Sequence, residues 1–344
     1  MIIGINEKLN GLVYQLRIPM PMDPGYVFSY VIRVDNECIM IDAGYPSNDL
    51  LEPPLVNRLR EIPNCRLGML FITHMHVDHI GLANELHNNL GLSVAMHRRD
   101  YEQVMKMNNR DFFMRDYEEL LVYYGVPDTD MELLRSVING ISRRRRFSTV
   151  NPDVIINGDE ERIDNIHVIL TPGHSPGHIS IILNEHNVAF TGDLVLPTIT
   201  THVGLTPINP GNPLLDYFKS LAKIRSMRPN CLYPGHEGDI CNVNGRINEL
   251  MDHRFSRLCE VLNILRNGAL TIFEVARALR WMDNRDYLGL DPMNRYMALT
   301  ETAALVKYLD YLGIIKAGND NKYEIVKDVI CNPQALIPSD LISP

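Results

Sequence analysis

Several things that would narrow the chemistry are scarce in this chain. None of its six cysteines (Cys38, Cys65, Cys231, Cys241, Cys259, Cys331) stands in a CxxC pair. That argues against a cysteine-built zinc site. Scattered cysteines in a chain of 344 residues predict reduced thiols and a cytoplasmic protein. No apolar stretch approaches the roughly 20 residues of a membrane span. The opening MIIGINEKLNGLVYQ lacks a basic segment ahead of an apolar one, so no secretory leader is read in it. Basic charge is also short: 33 Lys and Arg against 42 Asp and Glu leave −9 and a pI near 5.7. Such a chain is a poor non-specific ligand for nucleic acid. What is there is ordinary globular composition, 45% hydrophobic and 22% charged. It is long enough for a sizeable core in one large domain or two smaller ones.

Residues 26–45 read as two β-rich runs around an Asp35-Asn36 turn, ending at Asp42 and Gly44. Residues 67–73 read as a short buried strand, DHIGLANELHNNLG as a helix from Asp78 stopping at Gly91, and SVAMH (93–97) as the next strand. This is a β-loop-α-β unit, which predicts an α/β fold. Residues 98–150 change to a helical insertion, with Phe112 or Phe113, Tyr117, Leu120, Leu121 and Tyr124 on one face and a second helix from Asp128. Strand signals return in HVILTPGH, HISIILN, NVAFTGDLV and NCLYPGH, with a helix from about Pro213 to Met227. From Asn244 three helices are expected, the second opened by the capping box Thr271–Glu274, and then a hairpin around Asn319–Asn321. That order is the order of a winged helix. The division expected is 1–243 for a catalytic domain and 244–344 for a winged-helix-like domain.

The densest chemistry lies in FITHMHVDHIGL, where His74, His76, Asp78 and His79 fall within six positions. His74 and His76 can reach one ion from a strand-end loop, while the spacing of Asp78 and His79 directs them to a second. His174, Asp193 and His236 each end an apolar strand and could complete a two-ion site. Lone histidines such as His87, His97, His167, His186 and His253 carry no such pattern.

THMHVDHIG, with IDAG (41–44) before it and TPGHSPGH, TGD and YPGHEG after it, resembles the metallo-β-lactamase superfamily over residues 1 to about 243. The resemblance implies an αββα sandwich with a dinuclear site at one edge. It implies His74, His76 and His174 on the first metal, Asp78, His79 and His236 on the second, Asp193 bridging, and Asp42 behind the metal loop. Flavodiiron members have Glu where this chain has His76, so di-iron redox chemistry is not expected. β-Lactamases proper often carry Cys where this chain has Asp193, so antibiotic hydrolysis is not expected either. The implied chemistry is hydrolysis by a water shared between two divalent ions, whose pKa falls from 15.7 towards about 7. Asp78 is a candidate for proton transfer. Histidine and carboxylate donors suit Zn²⁺, with Fe²⁺ or Mn²⁺ also compatible.

The segment from Gly192 to Leu221 plus the C-terminal module resembles hydroxyacylglutathione hydrolase-like (glyoxalase II-like) members carrying such an appendage. The substrate expected is an ester, thioester or lactone of a small organic molecule. Two alternatives stand beside it: a nuclease whose winged helix contacts nucleic acid, and a non-catalytic binding protein. Residues 245–344 hold 12 basic and 13 acidic side chains, which gives no phosphate-tracking stripe. The insertion 98–150 could form an apolar lid containing Tyr117. The run Ser142-Arg143-Arg144-Arg145-Arg146 could hold an anionic tail, with Arg144 as its representative. His202 is a third candidate for substrate contact. A homodimer is the commonest assembly for such a chain.

Overall fold

The computed structural model describes residues 4–34, 37–46, 54–144, 150–163, 166–332 and 336, except for the side chains of Pro54, Phe112 and Arg144. The expected Asp35-Asn36 turn and Arg145 and Arg146 lie outside the described residues.

An antiparallel meander of β1 (Gly4–Lys8), β2 (Val13–Pro19), β3 (Tyr26–Val34) and β4 (Glu37–Ile41) continues in parallel through β5 (Leu67–Ile72), β6 (Ser93–His97) and β7 (Val154–Ile156). The second sheet runs β12-β11-β10-β9-β8, from β8 (Glu160–Ile163), β9 (Ile166–Leu170), β10 (Ile179–Leu183), β11 (Val188–Gly192) and β12 (Cys231–Pro234); only β11 and β12 pair in parallel. Alternation along each strand decides the layers. Ile39, Ile41 and Phe71 face Val168, Ile181 and Phe190 of the other sheet in one apolar layer. Their neighbours Met40, Leu70 and Ile72 point outward. They pack there on α1 (Pro54–Glu61), α2 (Val77–Ile80), α3 (Ala83–Leu90) and α4 (Arg98–Met107). The outer face of the second sheet, with Ile169, Ile182 and Leu232, is covered by α5 (Arg110–Tyr123), α6 (Asp128–Arg144), α7 (Pro213–Ser226), α8 (Val243–Leu265), α9 (Ile272–Ala278) and α10 (Pro292–Tyr311). The layers are αββα.

The insertion helices α5 and α6 and the C-terminal helices α8, α9 and α10 share one continuous apolar cluster with α7. A two-stranded hairpin, β13 (Ile315–Ala317) and β14 (Tyr323–Ile325), follows α10. The capping box at Thr271 and Glu274 is formed. Among the described residues no helix is long and apolar enough to cross a membrane.

Two expectations change. The single helix from Asp78 to Leu90 is two, broken at Gly81 and Leu82. Gly81 presses on Pro46, where an added Cβ would lie 2.3 Å from the proline Cδ. The break gives Asp78 and His79 a one-turn helix of their own. The cysteines, expected as reduced thiols, are paired as Cys38–Cys65, Cys231–Cys241 and Cys259–Cys331. Parallel pairing sets Cys38 opposite Leu67 and so beside the segment entering β5. A bridge between Leu232 and Ile240 does the same for Cys231 and Cys241. No sequence spacing reveals contacts made by tertiary pairing.

Candidate metal centre

Strands β5, β9, β11 and β12 deliver their C-terminal ends to one edge of the sandwich. The edge is stitched by Ile179 N donating to the Thr73 carbonyl (2.8 Å) and Gly235 N to the Gly192 carbonyl (2.8 Å). From β5 come Thr73, His74 and His76, then Asp78 and His79 on α2; from β9, His174; from β11, Asp193; from β12, His236. The seven candidate ligands fall into two groups, His74, His76 and His174, and Asp78, His79, Asp193 and His236. Within each group the donor atoms lie within 4.8 Å of one another.

In the first group His76 Nδ1 lies 3.0 Å from His74 Nε2 and 2.8 Å from His174 Nε2. Outward bonds set the tautomers. His174 Nδ1 donates to the His202 carbonyl at 2.8 Å. Thr73 Oγ1 gives its proton to Asp42 and so accepts from His74 Nδ1 at 3.0 Å. The inward nitrogens of His74 and His174 are therefore lone pairs. Burial drives all three imidazoles to the neutral form, and His76 falls to about 3.

The second group differs. His79 Nδ1 donates to Asp42 at 2.7 Å, and His236 Nδ1 to the Tyr26 carbonyl at 2.9 Å. Their Nε2 atoms converge on carboxylates: His79 at 3.4 Å and His236 at 3.5 Å from Asp193 Oδ1, and His236 at 3.3 Å from Asp78 Oδ2. Burial lowers the His79 and His236 values, but the carboxylates outweigh it and lift His236 to about 10 and His79 well above the ordinary range. Against burial, the same imidazoles hold Asp78 at about 2. Asp193 Oδ2 also comes within 3.7 Å of His174 Nε2, so this carboxylate reaches both groups.

These donors fit divalent cations. His79 Nε2 and Asp193 Oδ1 are buried without a hydrogen-bond partner, and three neutral imidazoles present nitrogens to one point. Converging lone pairs and carboxylates, with the opposite imidazole nitrogens fixed from behind, are what Zn²⁺, Fe²⁺ or Mn²⁺ would satisfy. Gly235 makes the convergence sterically feasible: a Cβ there would lie 2.6 Å from both Asp193 Oδ1 and His79 Cε1.

Asp42, expected behind the metal loop, sits at φ 59 and is buried. It accepts from Thr73 N and Thr73 Oγ1, each at 2.8 Å, as well as from His79. A non-glycine residue in this region is strained, and those three bonds hold it there.

Three supports went unread in the sequence. Asp100, at the start of α4, accepts from Met75 N (2.8 Å), Ser175 Oγ (2.7 Å) and Gly177 N (2.5 Å), tying the two histidine loops together. Burial lifts its carboxyl to about 6 against those bonds. His178 accepts the Asp193 N–H at 3.2 Å. The second GH of TPGHSPGH was the available signal. Arg254 of α8 donates to the Thr201 carbonyl and pairs with Glu301 of α10 at 2.8 Å. The loop that carries the His202 carbonyl, and through it His174, is thus held by the C-terminal helices.

A cavity of about 320 Å³ opens beside the centre, with His76, Asp78 and His174 in its wall. Tyr117 and His202 line it too. Tyr117 is buried, with its hydroxyl 3.4 Å from that of Tyr296, and burial pushes it up to about 12. His202 Nε2 lies 3.3 Å from Thr300 Oγ1, and burial lowers it to about 4. Arg144 is the last residue of α6; its side chain lies outside the described residues, so the structure places only Tyr117 and His202 at the cavity.

The model of the metallo-beta-lactamase superfamily matches residues 22–236, and the chain belongs to that superfamily. It is similar to "Probable metallo-hydrolase YqjP" of Bacillus subtilis, 27% identical over 87% of this chain and 92% of the relative. It is also similar to the atrochrysone carboxyl ACP thioesterase of Aspergillus fumigatus, 35% identical over 64% of this chain and 68% of that one. Among solved structures, a metallo-beta-lactamase family protein from Thermus thermophilus superposes with a TM-score of 0.75 at 25% identity, covering 92% of this chain and 100% of that one.

Proposed function

We propose that this protein is a dinuclear-metal hydrolase acting on an ester or thioester of a small organic substrate. Hydrolase activity is supported by the relatives named above. The observation that carries the reading is the pairing of two donor groups, joined by Asp193, with a cavity that opens on them. His74, His76 and His174 would hold one cation, and Asp78, His79 and His236 the other, with Asp193 between. Bound there, the cations would supply Lewis acidity for the carbonyl and acidify water to near neutrality.

The chain's own residues do the rest. Asp42, the His202 carbonyl and the Tyr26 carbonyl hold the imidazole tautomers. Asp78 has one oxygen 3.3 Å from His236 Nε2 and lines the cavity, and in this reading it would receive the proton of the attacking water. The expected product pair is a carboxylate and an alcohol or thiol.

The test is metal analysis of the purified protein followed by a panel of thioesters, esters, lactones and a generic phosphodiester. Metal-dependent turnover of an acyl compound, lost in His74→Ala and Asp193→Ala, is the expected result. Turnover of the phosphodiester alone would replace this reading with a nuclease.

A further inference from the structure

Two cavities adjoin each other at His202 and Met297, one opening on the centre and the other lying beyond it, and they differ in character. The first is walled by Met75, Met107, Met293 and Met297, with Ile141 and Ile208. The second, of about 410 Å³, is mixed: Arg257, Glu260, Arg280 and Glu301 line it beside Trp281 and Leu290. His202 and Met297 belong to both, so they form the partition. In the second cavity Glu260 is spent on Arg257 (2.5 Å) and Glu301 on Arg254 (2.8 Å). Arg280 is exposed and has no ion pair among the described residues.

We propose that the substrate is an amphiphilic acyl thioester whose apolar acyl chain fills the methionine-walled cavity while its polar thiol half runs past His202 into the second. This rests on the hydrolase reading above. A carbonyl at the metal edge has one substituent on each side; the methionine-walled cavity takes the apolar one, and the space beyond His202, where the charged side chains lie, takes the other. The thiol carriers of acyl groups are large and polar, and an apolar space of this size suits only the acyl half. Methionine is unbranched and polarisable, so four of them conform to chains of different shape. They offer no hydrogen-bond partner to a short hydroxylated acyl group, whose hydroxyl would have to reach Thr206 or Asn209 on the same wall. In the reaction a C–O bond forms from water as the carbonyl C–S bond breaks; one proton of the water ends on the departing sulfur, giving the thiol, and the other is released to solvent as the carboxylic acid ionises.

The experiment uses the metal-loaded full chain and coenzyme A thioesters from acetyl to octanoyl, with lactoyl as the polar control. kcat/KM should rise by about fourfold per added methylene until the cavity is full. A flat or falling series, or a preference for lactoyl, overturns the proposal. Met297→Gln should lower the octanoyl rate more than the acetyl rate; equal losses count against it. Non-hydrolysable thioethers, ethyl against octyl on coenzyme A, are measured for binding in parallel. Equal affinities overturn the proposal whatever the turnover. If no thioester is hydrolysed, this proposal is overturned, while the hydrolase reading stands or falls separately on the ester and lactone panel.

Discussion

The two donor groups sit side by side and are built on opposite electrostatic plans. The trio His74, His76 and His174 has no carboxylate of its own, and burial keeps its imidazoles neutral. The quartet has two carboxylates, Asp78 and Asp193, which draw charge onto His79 and His236. The trio is therefore a set of aligned dipoles, useful only when a cation sits among them. The quartet balances two carboxylates against two imidazoles that hold protons until a cation displaces them. Their supports differ as well. Asp42 acts mainly on the quartet through His79, whereas the trio leans on Asp100 and on the loop that Arg254 and Glu301 hold from the C-terminal helices.

The sharpest break of that contrast is Asp193→Ala, because this carboxylate reaches both groups. Metal content at both positions should collapse, with activity falling on the order of 10³-fold or more. Elemental analysis checks it. Next, Asp42→Asn and Arg254→Met should separate the groups. Each should weaken metal binding by about 10- to 100-fold, the first chiefly at the quartet and the second chiefly at the trio. Cobalt substitution, read spectroscopically during chelator titration, distinguishes the two. Equal effects of both variants would dissolve the contrast. Gly235→Ala is smaller: its Cβ must displace Asp193 and His79, at about 1–3 kcal/mol, measured as a denaturation midpoint shift. Smallest is the pH effect of Asp100. Its folded carboxyl titrates near 6 against an ordinary 3.8, so between about pH 4 and 6 the folded chain keeps a proton that the unfolded chain has released. Stability of the wild type relative to Asp100→Asn should therefore fall as pH rises through that window, by at most about 3 kcal/mol. A difference that grows with pH would contradict the assignment.

Much of this site was legible because strand ends announce themselves: an apolar run that stops at His174, Asp193 or His236 is visible in one dimension. The pairing of His74 with His76, and of Asp78 with His79, followed from spacing along one loop and one turn. What could not be read were partners brought together only by packing. Asp100 looks like a helix-start residue until Met75, Ser175 and Gly177 are seen to point at it. Met293, Tyr296 and Met297 carry no signal of their own in the sequence, and they wall the cavity because α10 packs over the second sheet. The cysteines failed for the same reason, since each pair is closed by register or packing and not by a motif.

The central claim is that the two groups each cage one cation. Anomalous-scattering maps of the metal-loaded crystal test it most directly. The account predicts two peaks, one enclosed by His74, His76 and His174 and the other by Asp78, His79 and His236, with Asp193 touching both. A fully loaded, active protein showing a single peak, or peaks elsewhere, would contradict it.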